Sequence, residues 1–380
     1  MTRFLFASDS FKGTISSARA AQLLTTAARE SFPQAQTVEL AVADGGEGTV
    51  EAVVAATGGT LRTATVRGPR GGEVSATYGL LGDGGALIEM AAASGLPLLE
   101  DAQRDPRLTS TYGTGQLIAR ALDDGARDIT LAIGGSATND GGMGCMRALG
   151  VRFFADDGTE LDGVGADLAR VARIDLTGMD ARVARATFCV MCDVDNPLLG
   201  ARGATHVFGP QKGASAAVVA ELEHGMAHYA RMLAKTFHTF DATAPGMGAA
   251  GGLGAACQAF LGATLQPGIE RVLDLVGFDA LLDGCDLCVT GEGHADAQSA
   301  HGKVISGIAA RCSRVGVPCV AIVGGMDADA CELLQVGVDA LVPTVIDVGE
   351  LRDALDHAER NYLLAARRVF SLLKIAVPSH

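Results

Sequence analysis

The feature that most constrains the fold is the position of four acidic or glycine-rich clusters, each directly after an apolar run of the length of a β-strand. In open α/β sheets, ligands bind at the carboxyl ends of the strands, so these clusters are expected to line one crevice. Glycines let a ligand approach the backbone, and N–H groups at helix starts attract phosphate. Carboxylates beside phosphate need a divalent cation between them. The clusters, which together predict magnesium-nucleotide chemistry, are SDSFKG (8–13), DGGEG (44–48), GGSATNDGG (134–142) and GEG (291–293).

Patterns typical of strands and helices alternate along the whole chain, which predicts an α/β fold. Apolar runs such as residues 317–323 indicate strands that are buried on both faces, as in parallel sheets. Residues 60–66 and 74–80, joined by a glycine-rich turn, instead predict an antiparallel hairpin. The predicted strands are 3–8, 37–43, 128–134, 186–193, 286–290, 317–323 and 338–345, and the predicted helices are 16–31, 48–57, 113–124, 215–238, 302–315 and 348–374.

The return of the strand–helix rhythm near residue 286 predicts the domain organisation. We expect a discontinuous Rossmann-like parallel-sheet domain that is formed by residues 1–66 and 284–380. A second α/β domain, residues 67–283, is then inserted between these two segments. The active site is expected in the cleft between the two domains.

The composition argues against several classes of partner. The formal net charge is −14, aromatic residues make up 4% of the chain and Trp is absent, so neither nucleic acid nor an anionic membrane is expected as a partner. The sequence has no apolar stretch long enough to span a membrane, and its first residues do not have the pattern of a signal peptide. Nine cysteines, scattered through apolar runs, fit reduced thiols in the cytoplasm.

Two short motifs each allow two interpretations. CxxC sequences at 189–192 and 285–288 resemble a zinc ribbon, but roughly ninety residues separate them and both lie in strand-like runs, which favours buried thiols. The GxGxxG sequence at 246–251 could form a dinucleotide site, but Pro245 interrupts its entry and Asp274 lies in a predicted helix, which favours tight packing or a substrate loop. The sequence contains no Walker A loop.

The first two clusters contain charged residues for which simple turn chemistry accounts poorly. Asp9 and its neighbouring serines could cap the helix that is predicted to begin near Ser16. Lys12 is harder to explain, because a cation opposes the N-terminal end of the helix dipole unless an anion is bound there. Three glycines surround Asp44 and Glu47, more than a turn requires, which favours close approach of a ligand, although Glu47 could be only a first-turn acid.

The later clusters supply candidate residues for binding an anion, for acting as a general base and for holding a metal ion. Residues 134–144 look like a nest of backbone donors for phosphate or carboxylate. Asp193 follows an apolar strand and is a candidate general base, since burial raises the pKa of a carboxyl group towards neutrality, but a structural Asx turn before Pro197 is the alternative. The cluster at 291–299 adds two acids, Glu292 and Asp296, with Lys303 in the next predicted helix, and both metal coordination and contact with ribose and phosphate are open. The histidine spacing does not indicate a transition-metal site.

Taken together, these motifs resemble the bacterial glycerate kinases of the two-domain, non-P-loop type. The resemblance extends over nearly the whole chain and keeps the order of the motifs. They are SDSFKG (8–13), ADGGEGT (43–49), STYGTGQLI (110–118), IGGSATNDGGMG (133–144), CDVDNPL (192–198), FGPQKGA (208–214) and GEG followed by Asp296, Gln298 and GK (291–303).

The resemblance implies a cytoplasmic kinase that uses ATP and Mg²⁺ to phosphorylate D-glycerate, commonly at the 2-hydroxyl group, giving 2-phosphoglycerate. Two alternatives stay open: phosphorylation of the 3-hydroxyl group, and phosphorylation of a related small hydroxy acid. The choice between monomer and homodimer stays open as well. By position, the implied residues are catalytic Lys12, Asp9 and Asp193; substrate-binding Asp44, Glu47, Asn196, Ser136 and Asn139; cofactor-binding Gly134, Gly135, Thr138, Gly291, Glu292 and Lys303; and metal ligands Asp296 and Asp140.

One position departs from the family pattern, and two other functions are possible. Similar proteins often have Arg where this chain has His294, which would make binding of phosphate or carboxylate sensitive to pH. The enzymatic alternative is an NAD-dependent 2-hydroxyacid dehydrogenase that uses the loop at Gly246. The non-enzymatic alternative is a two-domain protein that binds a small acid without converting it.

Overall fold

The computed structural model describes residues 2–11, 13–43, 45–46, 48–300, 302–345 and 350–376. The chain forms two compact units, one built from Met1–Asp44 and Gly268–His380 and the other from Gly45–Pro267. Lys12, Asp44 and Glu47, which the sequence places in the site, lie outside the described residues.

The structure has parallel and antiparallel strands, and their order along the chain alternates with helices. The strands are β1 (Arg3–Ser8), β2 (Gln36–Ala41), β3 (Thr60–Arg67), β4 (Glu73–Leu80), β5 (Ala86–Glu89), β6 (Asp128–Ala132), β7 (Arg152–Phe154), β8 (Arg173–Asp175), β9 (Thr187–Met191), β10 (Thr264–Gln266), β11 (Leu287–Ala295), β12 (Cys319–Met326) and β13 (Ala340–Pro343). The α-helices are α1 (Ser17–Ser31), α2 (Thr49–Thr57), α3 (Ala91–Ser94), α4 (Tyr112–Asp123), α5 (Met143–Ala148), α6 (Ala204–Phe208), α7 (Ala216–Thr236), α8 (Ala249–Leu261), α9 (Gly268–Leu275), α10 (Phe278–Leu282), α11 (Val304–Val315), α12 (Leu351–Asp356) and α13 (Ala358–Ala376).

The first unit is a parallel five-stranded sheet with helices on both faces. Its strand order is β13-β12-β11-β1-β2, and all four strand pairs are parallel. On one face, α1 and α13 contribute to a core that includes Phe4, Tyr362 and Phe370. On the other face, α9, α10 and α11 contribute to a second core around Phe278 and Ile305. Burial of both faces explains why β1 and β12 read as continuous apolar runs.

The second unit has a mixed six-stranded sheet of order β10-β9-β6-β5-β4-β3. The strands β3, β4 and β5 pair antiparallel, whereas β5, β6, β9 and β10 pair parallel, and β7 and β8 form a separate two-stranded sheet. The α/β fold class and the hairpin at residues 60–80 are therefore confirmed. The core of this unit includes Met143, Tyr229 and Leu253.

The unit boundaries differ from the predicted ones, which were 66/67 and 283/284. Strand β3 pairs with β4 from Thr60 to Arg67, so the whole hairpin belongs to the second unit. Helix α9 places Ile269 and Leu273 in the core of the first unit, so that unit already begins at Gly268. Pairing and core packing, rather than the strand–helix rhythm, set these boundaries.

Two predicted elements also need correction. The strand predicted at 286–290 continues to Ala295, so the GEG cluster lies inside β11 and not after it. The helix predicted at 348–374 is interrupted at His357 and forms α12 and α13 in the described residues. The helices at the described positions include none that is both long and apolar enough to cross a membrane.

Candidate active site

The loop after β6 is almost entirely buried. Gly134 and Gly135 are exposed, Ser136 is 8% exposed, and Thr138, Asn139 and Asp140 are fully buried. This loop occupies the carboxyl end of a parallel strand, where ligands bind in α/β sheets. A ligand could therefore contact the loop only at its first residues.

The segment around α3 holds the exposed part of this loop. The backbone N–H of Leu96 donates to the carbonyl oxygen of Gly135 (2.9 Å), and the N–H of Ala137 donates to the carbonyl oxygen of Ser94 (2.9 Å). Thr109 Oγ1 also donates to the carbonyl oxygen of Ala137 (3.1 Å). The backbone at Gly134 and Gly135 is thus presented by a rigid support.

Asp140 organises the end of the loop. Its Oδ2 accepts hydrogen bonds from Thr111 N (2.7 Å), Thr111 Oγ1 (2.7 Å) and Gly144 N (3.2 Å), and its Oδ1 accepts one from Gly142 N (3.1 Å). Burial raises the pKa of Asp140, and these donors oppose that shift. Because both oxygens are occupied, this geometry favours a loop-shaping role over the predicted role as a metal ligand.

Thr138 and Asn139 direct their side chains away from solvent. Asn139 Nδ2 donates to Thr205 Oγ1 of α6 (3.2 Å), and Lys212 Nζ donates to the carbonyl oxygen of Thr138 (2.6 Å). Within the described residues, Thr138 Oγ1 and Asn139 Oδ1 are buried and have no hydrogen-bond partner. The side chains that were predicted to bind ligand here therefore lie beneath the surface of the loop.

The GxGxxG sequence packs against this loop instead of following a strand. A Cβ at Gly251 would collide with the carbonyl oxygen of Thr138, and one at Gly248 would collide with that of Pro197. Ala250, Gly251 and Gly252 have positive φ angles (50°, 64° and 90°), a conformation that favours glycine. These contacts support the tight-packing interpretation of the motif.

Asp193 and Asn196 lie in the loop after β9. Asp193 is exposed, so the expected burial of its carboxyl group is wrong: the strand ends at Met191, before this residue. Asn196 Nδ2 donates to the carbonyl oxygen of Arg202 (2.7 Å), and its own carbonyl accepts from Gly248 N (2.9 Å). Asn196 therefore shapes the loop that presents Asp193.

In the first unit, Asp9 follows β1 and lies beside β11. Its backbone N–H donates to the carbonyl oxygen of Gly291 (2.8 Å), and its Oδ1 accepts from Ser10 N (2.6 Å). Gly291 lies in the middle of β11, where a Cβ would collide with the carbonyl oxygen of Ile322 on β12. Close strand packing thus explains the glycine, and it brings Asp9 next to the GEG sequence.

Glu292 is partly buried beside several charges. Burial is the main cause that raises the pKa of Glu292, the negative charges of Asp9 and Asp296 add to it, and Ser299 and Lys303 oppose it. Within the described residues, Glu292 Oε1 is buried and has no hydrogen-bond partner. A carboxylate oxygen of this kind suits a divalent cation or a hydroxyl donor.

Asp296 and Lys303 complete this acidic corner, which comprises Asp9, Glu292, Asp296 and Lys303. Asp296 Oδ1 accepts from Ser299 N (3.0 Å) and lies 3.7 Å from Lys303 Nζ. Burial raises the pKa of Asp296, but the Ser299 N–H and the charge of Lys303 outweigh that effect and lower it. The structure therefore gathers four predicted residues in this unit.

His294 on β11 is more than half exposed, and its Nε2 lies 3.3 Å from Asp327 Oδ1.

Within the described residues, the cysteines of the two CxxC sequences form no disulfide bond, and Cys189 and Cys288 are buried within strands. Across the described ranges, no three His, Cys, Asp or Glu side chains form a group that could hold a metal ion. The burial of Cys189 and Cys288 supports the interpretation of these two cysteines as core thiols.

Sequence reasoning did not predict the structural roles of two residues that shape the second unit's loop. Thr111 bonds to Asp140 and accepts from Cys145 N (2.9 Å), and Lys212 bonds to Thr138. Both belong to motifs that were quoted above, at 110–118 and 208–214. Their roles were missed because no pattern in the sequence identifies a buried lysine or a threonine that bridges two segments.

Comparisons with known proteins find similarity to glycerate kinases over nearly the whole chain. A profile of the glycerate kinase family matches residues 4–374. Glycerate 2-kinase of Escherichia coli (strain K12) is 44% identical over 376 residues, covering 99% of both chains, and glycerate kinase of Bacillus subtilis (strain 168) is 43% identical over 375 residues, covering 98% of both. The crystal structure of a protein described as glycerate kinase 2, from Salmonella typhimurium LT2, matches with a TM-score of 0.90 and 43% identity over 99% of each chain.

Proposed function

Because this chain belongs to the glycerate kinase family, we propose that it transfers the terminal phosphoryl group of ATP to the 2-hydroxyl group of D-glycerate. As a member of that family it is a phosphotransferase that acts on a hydroxyl group of glycerate. The observation that carries the proposal is the 44% identity to a glycerate 2-kinase, which extends over 99% of both chains.

The exposed backbone at Gly134 and Gly135 is the proposed anion contact of the second unit. Its N–H groups would bind phosphoryl or carboxylate oxygens, as backbone nests do. Ser136 lies at the edge of this contact, whereas Thr138, Asn139 and Asp140 would support it from beneath. A rigid set of donors suits phosphoryl transfer, which depends on positioning and charge stabilisation.

The acidic corner of the first unit is the proposed place for the Mg²⁺ that accompanies the nucleotide. Among the described residues, Glu292 Oε1 is buried and has no hydrogen-bond partner, and the charges of Asp9 and Asp296 act on Glu292. These carboxylates do not by themselves form a group that could hold a metal ion, so phosphate oxygens would have to complete the coordination. Such oxygens fit Mg²⁺, which proteins commonly hold through one or two carboxylates together with phosphate oxygens. Bound Mg²⁺ would neutralise charge on the phosphoryl oxygens. Lys303, and Lys12 from outside the described residues, are the proposed cationic contacts.

Asp193 is the proposed acceptor of the proton from the substrate hydroxyl group. As the oxygen–phosphorus bond to glycerate forms and the bond to ADP breaks, the hydroxyl proton would move to the Asp193 carboxylate. Asn196 supports this role because two hydrogen bonds, one donated by its side chain and one accepted by its backbone carbonyl, hold the loop after β9. Asp44 and Glu47, which also lie outside the described residues, are proposed to orient the substrate.

The product of the reaction tests the proposal. Incubation with ATP, Mg²⁺ and D-glycerate, followed by ³¹P NMR, should give 2-phosphoglycerate. A 3-phosphoglycerate signal would keep the kinase and contradict the proposed acceptor hydroxyl. Folded protein that forms neither product would overturn glycerate as the substrate.

A matched pair of variants tests the proposed base. Asp193→Asn should lower kcat by about 10²-fold or more, because general-base catalysis typically contributes that much. Asp195→Asn is the control, since Asp195 is exposed on the same loop and pairs with Arg202 (3.0 Å). Equal activity in the two variants would remove Asp193 from the catalytic set.

A further inference from the structure

Lys212 is a buried lysine whose surroundings do not explain it as a core residue. Lys212 is only 1% exposed, and within the described residues its Nζ donates one hydrogen bond, to the carbonyl oxygen of Thr138 (2.6 Å). The described residues place no carboxylate within ion-pair distance of it, and Asp140 acts on it only through space. The desolvation of a buried amino group generally costs more free energy than one hydrogen bond returns. Stability alone therefore favours an apolar residue here.

The segment that includes Lys212 bonds to two successive residues of the loop after β6, Thr138 and Asn139. Thr205 accepts a hydrogen bond from Asn139, and Lys212 donates to Thr138. The next residue, Gly213, has a φ angle of 95°, and a Cβ there would collide with the carbonyl oxygen of Arg104. The backbone next to Lys212 therefore packs closely against Arg104, which lies outside the loop after β6.

The Thr138 carbonyl oxygen lies between Lys212 and the close-packed backbone of Gly251. The residues around α3 bond to Gly135 and Ala137, the residue directly before Thr138. Lys212 therefore holds the loop at the point where the contacts with the α3 segment end. The exposed backbone at Gly134 and Gly135 lies at the start of the segment that these contacts hold.

We propose that Lys212 is a positioning residue, which fixes the Thr138 carbonyl and thereby the backbone donors at Gly134 and Gly135 that contact the anionic substrate. This inference rests on the proposed function of that loop. The Lys212 amino group contacts neither substrate nor nucleotide in this account, and it acts through the backbone. It can donate to Thr138 in both of its protonation states.

Substitution by residues of similar length separates positioning from packing. Lys212→Met removes the donor, whereas Lys212→Gln keeps a donor without the charge. We expect Lys212→Met to lower kcat for phosphoglycerate formation by about tenfold to hundredfold, because small misplacements of binding groups have effects of this size. Lys212→Gln should recover part of that loss. The matched control is Lys235→Met, an exposed lysine of the same unit.

Two further measurements distinguish the possible outcomes. In Lys212→Met, backbone amides of residues 134–142 should exchange with deuterium faster, and the melting temperature should stay within about 5 °C of the wild type. A lower melting temperature with unchanged kcat per folded molecule and unchanged exchange would overturn the proposal.

A wild type that forms no phosphoglycerate would instead contradict the proposed function. The exchange of the loop amides would then decide the role of Lys212 by itself: faster exchange in Lys212→Met would support it, and unchanged exchange would refute it.

Discussion

Two buried cations, one in each unit, differ in the groups that surround them. Arg311 on α11 contacts three carboxylates, from Glu270 (2.6 Å), Asp274 (2.7 Å) and Asp279 (3.1 Å). Among the residues that the structure describes, Lys212 donates a hydrogen bond to one backbone carbonyl. Both side chains are almost completely buried.

The difference shows what each cation contributes. Arg311 joins α9, α10 and α11, whose packing forms one face of the first unit, and its planar guanidinium satisfies several partners at once. Its role is explained by stability. Lys212 satisfies one carbonyl at the cost of desolvation, so its role has to be sought in the loop that it restrains.

The largest effect on stability is expected from Arg311→Met. Loss of the guanidinium leaves three carboxylates close together, but each of them is more than a third exposed and screened by solvent, so the free energy of unfolding should fall by about 2 kcal/mol. Urea unfolding of the full chain measures this. The control is Arg314→Met, an exposed residue of the same helix. An equal loss in both variants would contradict the account of Arg311, as would a large change in kcat per folded molecule.

The pH dependence of stability should differ between wild type and Lys212→Met. Burial lowers the pKa of Lys212 from its ordinary value to about 7, and the charge of Asp140 opposes that shift. Between about pH 7 and about pH 10 the unfolded chain binds one more proton at this site, so the wild type gains stability relative to the variant as pH rises. Parallel stability curves over this range, from urea unfolding, would show that Lys212 keeps an ordinary pKa.

A smaller effect is expected from Thr111→Val, which keeps the shape of the side chain. It removes the bond to Asp140 and leaves the buried N–H of Cys145 without its acceptor. The free energy of unfolding should fall by about 1 to 2 kcal/mol. Thr63→Val on the exposed surface of β3 is the control. Equal effects in both variants would show that the Asp140 network contributes little.

The smallest effect is expected from His294→Arg. His294 is more than half exposed and pairs with Asp327, so its charge acts on a ligand through solvent. The variant should reduce the variation of the KM values for glycerate and ATP between about pH 6 and about pH 8, because Arg does not titrate there. Identical KM profiles for wild type and variant would remove His294 from the site.

The sequence predicted the elements whose patterns are local and strong. The apolar run of β12 and the hairpin of β3 and β4 were predicted because burial on two faces, and turns rich in glycine, leave direct marks on the sequence. The cluster after β6 was also placed at a strand end, where it lies. These features depend on neighbouring residues only.

The errors concern contacts between distant segments. Gly291 was expected to begin a loop, but it lies inside β11. It is a glycine because Ile322 of β12 leaves no space for a side chain. Asp193 was expected to be buried, although β9 ends two residues earlier. The burial of Lys212 was not predicted, since its amino group bonds to Thr138, 74 positions away. Such contacts are not encoded in local spacing.

The most direct test of the account compares phosphoglycerate formation per folded molecule in wild type, Lys212→Met and Arg311→Met, with ATP, Mg²⁺ and D-glycerate. We expect Lys212→Met to lose about tenfold or more of kcat with little loss of stability, and Arg311→Met to show the reverse. If both variants lose activity only in proportion to their loss of folded protein, Lys212 is a structural residue and the account is wrong.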